Sequence, residues 1–151
     1  MINGFFLFKV ISLYLYFGLT IDELRSNYPK AIDHKEICLN MIEKLEDSEM
    51  TATQQAYLGG FQTIWANHVF NPIQKLKTFN KGKKNIEEGI RRDPNNMDIR
   101  FVRLSVQMNC PAFLGYNQHI DSDRKILEDQ MPIISSLKLK EMVQGLLTKV
   151  E

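Results

Sequence analysis

The chain is short of nearly everything that would declare a reaction. It has no P-loop, no G-x-G-x-x-G, no H-E-x-x-H and no G-x-S-x-G. The phosphate cradle, the dinucleotide turn, the zinc helix and the nucleophile elbow are therefore all missing. The net charge is only +1, so no strong overall field gathers nucleic acid or membrane lipid around the protein. Cysteine is limited to Cys38 and Cys110, which lie far apart and without metal-ligand spacing. A disulfide scaffold is excluded, and one bridge between the two thiols is open only in an oxidising compartment. No segment sustains period-two alternation, so strands are not expected.

What is present is ordinary globular material. The 151 residues are 44% hydrophobic and 25% charged, which suits one domain with a packed core and argues against disorder. Charge is spread unevenly: acids outnumber bases between Asp22 and Glu49, and the balance reverses from Lys75 to Arg100. The basic segment lacks interleaved aromatics and any groove-reading motif, so it reads as a solvated helix surface and not as a nucleic-acid site.

Phe5 to Leu19 is nearly all apolar and is divided by Lys9. The part after Lys9 has the length of a signal-peptide h-region, whereas a spanning helix needs roughly twenty residues. Residues 1–20 accordingly read as a cleaved export signal preceding a single all-α domain over 21–151, and the protein as periplasmic or otherwise in the cell envelope. No Ala-x-Ala site follows; Gly18 and Thr20 are the nearest small pair. An uncleaved N-terminal anchor and a buried first helix are the alternatives. No other membrane span is expected.

The remainder reads as seven or eight short helices. Thr20-Ile-Asp-Glu23 has the form of a capping box, and Asp33 reads as the cap of a helix carrying Ile37, Cys38, Met41, Ile42 and Leu45 to about Asp47. Cys38 there reads as a small core residue. Thr51 or Thr53 opens a helix holding Tyr57, Leu58, Phe61, Ile64 and Trp65, whose aromatics read as core. Gly59-Gly60 within it costs about 1 kcal/mol per residue relative to Ala, which a close-packed neighbour can offset. Asn71-Pro72 caps and opens the next helix, with Ile73, Leu76 and Phe79 as its apolar face. Asn80-Lys-Gly82 is expected to break it before a further helix marked by Ile86, Gly89 and Ile90 and closed by Asp93-Pro94.

Asn95 or Asn96 caps Met97 to about Asn109, which is apolar on two sides. Ile99, Val102, Val106 and Cys110 form one strip and Phe101, Leu104, Ser105 and Met108 another; such an element is sandwiched between neighbours. Pro111 forces a break, after which Ala112-Phe-Leu-Gly-Tyr116 is expected to start a further helix. Another, with Asp121 or Ser122 as cap, holds Ile120, Ile126 and Leu127. Ser135 or Ser136 opens the last one, through Val150.

The spacing Gly82-x3-Ile86-x2-Gly89-x4-Pro94 resembles the second half of a tetratricopeptide repeat, covering about half of one unit. The segments Trp65-Ala-Asn-His68-Val-Phe-Asn71-Pro72 and Arg100 through Tyr116 are similar to those of exported bacterial helical proteins of no known activity. The repeat resemblance implies degenerate antiparallel helix pairs acting as a scaffold for protein or peptide contacts, without catalysis. A protein partner is thus expected; a cofactor or metal is not.

One polar cluster stands out: Arg100, Arg103, Gln107, Asn109, Tyr116 and Asp123. Two arginines one helical turn apart can clamp a carboxylate or phosphate through the guanidinium fork, which would make the protein a small-molecule or anion binder with a pocket between helices. The opposing reading is that Asp121, Asp123 or Glu87 neutralises them inside the fold, because a buried arginine must be paired. His68 reads as a helix C-terminal residue. A hydrolase using His68 or Asp123 lacks a nameable nucleophile and oxyanion donors, so no catalytic residue is assigned.

Overall fold

The computed structural model describes residues 18–149, and every regular element among them is helical. Seven α-helices follow one another: α1 (Ile21–Asn27), α2 (Lys35–Glu46), α3 (Ala52–His68), α4 (Pro72–Arg92), α5 (Met97–Asn109), α6 (Ile120–Gln130) and α7 (Leu137–Leu147). Single 3-10 turns at Lys30–Ile32, Ala112–Leu114 and Met131–Ile133 lie between them. The apolar run Phe5–Leu19 lies outside the described residues except for Gly18 and Leu19, as does Val150.

Local chemistry sets most helix starts. Thr20 and Glu23 close the reciprocal capping box at α1, and Thr51 and Gln54 do the same at α3. Thr53, the other candidate there, instead accepts a hydrogen bond from Asn96. Asn71 accepts from the N–H groups of Ile73 and Gln74, with Pro72 in the first turn of α4. Asn96 and Ser136 cap α5 and α7 in the same way. Each such cap contributes about 1 kcal/mol by satisfying N–H groups that the helix leaves open.

Two expected caps are absent. Asp33 does not open α2: the turn that begins after Pro29 uses it as the closing residue, and His34 occupies the cap position without a side-chain bond. Asp121 and Ser122 lie inside α6, which begins at Ile120 after His119. The segment from Ala112 makes only one 3-10 turn, because Gly115 takes a left-handed φ of 61° and ends it; that conformation suits residues without a Cβ.

The largest departure from the sequence pattern is α4, which runs unbroken through Asn80-Lys-Gly82. Gly82 is the crossing point of the α3–α4 pair. A Cβ on Gly59 would lie 2.4 Å from the Gly82 carbonyl oxygen, and a Cβ on Gly82 would lie 2.5 Å from that of Gly59. Further along, Gly89 faces Ala56 and Ala52, so rising α4 numbers meet falling α3 numbers and the pair is antiparallel. The two backbones thus approach closely along the seam, and this packing outweighs the intrinsic helix cost of the glycines.

Gly60 plays the matching part on the other side of α3, where a Cβ would strike Tyr28. The Tyr28 ring stands edge-on to Tyr57, Phe61 and Phe101 at centroid distances of 5.5, 5.4 and 6.0 Å. Pairs of this kind contribute about 0.5–1.5 kcal/mol each beyond area burial. Cys38 joins this core: its thiol donates to the Phe61 carbonyl, and burial pushes its pKa up to about 12. Cys110 is likewise a free thiol.

The helix α5 is sandwiched, as its two apolar strips require. It packs on α3, α4, α6 and α7 and buries Ile99, Phe101, Val102, Leu104 and Val106 together with Asp98, Arg103 and Gln107. Polar groups on an element enclosed from several sides must find partners within the protein. Those partners make up the candidate site.

Candidate functional site

Asp123 of α6 is the centre of a buried ion cluster, with no side-chain exposure. Its Oδ2 accepts from Arg103 Nε at 2.7 Å, and its Oδ1 accepts from Arg103 Nη2 at 2.9 Å and Arg100 Nη1 at 2.7 Å. Arg100 also donates twice to the Pro94 carbonyl, which caps the turn before α5. Arg103 Nη1 reaches Glu87 of α4 at 3.1 Å, and the other Glu87 oxygen accepts from the Tyr116 hydroxyl at 2.6 Å. Lys83 sits over the Tyr116 ring, 5.1 Å from its centroid. Spacing along α5 explains the convergence: residues three apart on a helix share a face, and α4 and α6 supply one carboxylate each.

Burial opposes the positive charge of Arg103, but the bonds and charges of Asp123 and Glu87 outweigh it and hold the guanidinium above its ordinary pKa. Tyr116 is pushed up by burial and by donation to Glu87, so it stays a phenol at neutral pH. Two guanidinium charges thus face two carboxylate charges, and the cluster balances internally. Paired in this way, the groups avoid the several kcal/mol that each buried, unmatched ion would cost.

Four of the six candidate residues, Arg100, Arg103, Tyr116 and Asp123, are joined here through hydrogen bonds among themselves and to Glu87, and Gln107 stands one turn further along α5. Gln107 Oε1 accepts from the His119 N–H at 3.0 Å, supplying from α5 the restraint that α6 lacks in its own cap. Gln107 Nε2 is buried with no hydrogen-bond partner among the described residues. Asn109 does not belong to the cluster: it is exposed and donates to the Ser105 carbonyl one turn back. Asp121 is exposed as well, and Asp123 and Glu87 do the neutralising.

A second buried network carried no sequence signal. Arg25 of α1 grips Asp98 through Nε at 2.9 Å and Nη2 at 2.7 Å, and Asp98 Oδ1 also accepts from the buried Tyr57 hydroxyl at 2.9 Å. Asp98 stands in the first turn of α5, where an acid is sufficiently explained by the helix dipole. Its partner lies 73 positions away, and no local pattern announces such a pair.

His68 donates through Nε2 to the Ala31 carbonyl at 3.2 Å, tying the first 3-10 turn to the end of α3. Among the described residues no three of His, Cys, Asp and Glu are placed to hold a metal ion. At Glu87 the ion cluster reaches the surface and borders a groove of about 340 Å³ lined by Gln55, Lys84, Asn85, Glu87, Glu88 and Arg91. The arrangement orders three helices and leaves a charged, hydrogen-bonding groove on α4. Comparison of the chain with family models, curated proteins and solved structures finds no match.

Proposed function

We propose that this is a non-enzymatic, exported helical protein of tetratricopeptide-like character whose α4 surface receives a protein partner. The observation that carries this reading is the burial pattern of α4. Of its 21 residues only Phe79, Gly82, Ile86 and Gly89 are buried, so the longest of the described helices presents its outer face to solvent. The groove beside Gln55 and Asn85 supplies neutral hydrogen-bonding groups flanked by charges of both signs, which is the polar lining that orients a peptide segment. Export rests on the apolar composition of Phe5–Leu19.

Lys84 and Arg91 are exposed, so the double variant Lys84→Glu/Arg91→Glu keeps the fold. Affinity capture from envelope extracts is expected to retrieve a discrete partner with the wild type and about tenfold less with the variant, a loss of roughly 1.4 kcal/mol. No stable partner, or equal capture by both proteins, removes the reading.

A second reading is supported by Gln107 Nε2, the one buried side-chain donor left without a partner among the described residues. It makes Arg100 and Arg103 an anion site in which a ligand carboxylate or phosphate competes with Asp123. Binding to the folded state alone raises the unfolding temperature. A thermal-shift series with small carboxylates and inorganic phosphate is then expected to show concentration-dependent stabilisation, lost in Arg103→Met; a flat response excludes the site.

A further inference from the structure

The end of the bundle where α3 stops, α4 starts and α5 stops carries apolar side chains that stand exposed among the described residues. Phe70 is fully exposed, Phe113 is 86% exposed, Ile73 69% and Leu76 48%. Helix directions bring them to one end. The α3–α4 pair is antiparallel, and α5 runs back toward the same end, since Arg103 meets Glu87 whereas Tyr116, beyond the end of α5, meets Phe79. The His68–Ala31 bond adds the turn holding exposed Ile32. Within α4, Ile73, Leu76 and Lys77 share one exposed face at i, i+3 and i+4.

Charge at this end has one dominant sign. No acidic residue occurs between Met50 and Ile86, while Lys75, Lys77, Lys81, Lys83 and Lys84 all do. Lys81 is taken up by Glu46, and Lys83 lies on Tyr116; Lys75 and Lys77 stand exposed beside the apolar residues. On the α2 side, exposed Asp33 and Glu36 are offset by exposed Lys30 and Lys35. Around Phe113, residues 108–119 carry no carboxylate or basic side chain apart from His119; just beyond, exposed Asp121 in the first turn of α6 is offset by half-buried Arg124, which reaches Met108.

The relief of the surface decides what this end can receive. A peptide or protein partner seats projecting rings in pockets or offers its own side chains to a groove. The α4 groove and a hollow of about 470 Å³ bounded by Leu19, Thr20, Glu23 and Lys44 both lie elsewhere on the molecule. Phe70 and Phe113 are single rings projecting from two chain corners. A lipid headgroup layer moulds itself around such projections, and lysines beside them reach anionic headgroups on flexible stems.

We propose that this end of the bundle docks on an anionic lipid surface, with Phe70, Ile73 and Phe113 entering the headgroup layer and Lys75 and Lys77 holding its negative groups. The surface is separate from the α4 groove between Lys84 and Arg91.

The test is co-sedimentation of the full chain with phosphatidylcholine vesicles made with and without phosphatidylglycerol. Phe5–Leu19 is common to all proteins compared, and any binding it contributes is read on the neutral vesicles. The wild type is expected to partition at least about tenfold better onto the anionic vesicles. Lys75→Gln and Lys77→Gln each reduce that gain roughly fivefold, and added salt weakens it. The triple variant Phe70→Ser/Ile73→Ser/Phe113→Ser, altered only at exposed positions, abolishes the gain while its circular dichroism is unchanged. Equal binding to both vesicle types overturns the proposal and leaves this end to a protein partner. A gain that survives the triple variant also overturns it, because lysine attraction without insertion would then suffice.

Discussion

Replacing Asp123 by Ala is expected to lower the unfolding free energy by about 3–5 kcal/mol, read from urea unfolding followed by helix ellipticity. The size follows from what is left behind. Arg103 is almost wholly buried and Arg100 largely so, and without Asp123 only Glu87 and the Pro94 carbonyl face them. Small domains have about 5–15 kcal/mol in total, so the variant sits near the edge of folding.

Arg103→Met is expected to cost less, about 1–3 kcal/mol. Asp123 then retains Arg100, Glu87 retains Tyr116, and methionine fills the apolar space along the former stem. The order of the two variants is the informative result. If Asp123→Ala unfolds within about 1 kcal/mol of the wild type, the carboxylate is not needed to neutralise α5, and the arginines are held for something else.

Gly59→Ala is expected to destabilise by about 2 kcal/mol or more, against the usual gain of alanine in a helix. The new Cβ meets the Gly82 carbonyl at 2.4 Å and the Ile86 backbone nitrogen at 2.8 Å. These are main-chain atoms of α4, which no rotamer change can move aside. Overpacking of this kind costs about 3 kcal/mol, and the helix propensity of alanine returns only about 1 kcal/mol. Gly82→Ala meets the reciprocal obstacle and should behave alike.

Gly145 is the control. It lies on the exposed side of α7 with no atom within 4 Å of the position a Cβ would take. Gly145→Ala should therefore stabilise by up to about 1 kcal/mol. Opposite signs for the same substitution in two helices, measured as urea midpoints at unchanged slope, would verify the α3–α4 crossing. A stabilised Gly59→Ala would show that the helices do not approach as closely as described.

Much of this architecture is legible one segment at a time. Thr20, Thr51, Asn71, Asn96 and Ser136 mark helix starts because a cap is a contact between neighbours three residues apart. The two apolar strips of α5 imply its enclosure for an equally local reason, since they are a property of one helix surface. Even the pairing of Arg103 follows from a general rule: a basic group on an enclosed helix requires a carboxylate, and few were near.

Choices between distant segments could not be read in that way. Whether Gly82 breaks α4 or lies at its closest crossing depends on Gly59, and either outcome is compatible with the local sequence. Ile73 and Leu76 have the spacing of a buried face yet stand in solvent, whereas Phe79 further along the same helix is buried and meets Tyr116. Arg25 finds Asp98 only once α1 lies beside α5. Local periodicity and capping are set by residues within one turn of each other, whereas burial, helix continuity through glycine and the choice of ion partner depend on which surfaces meet when the whole chain packs.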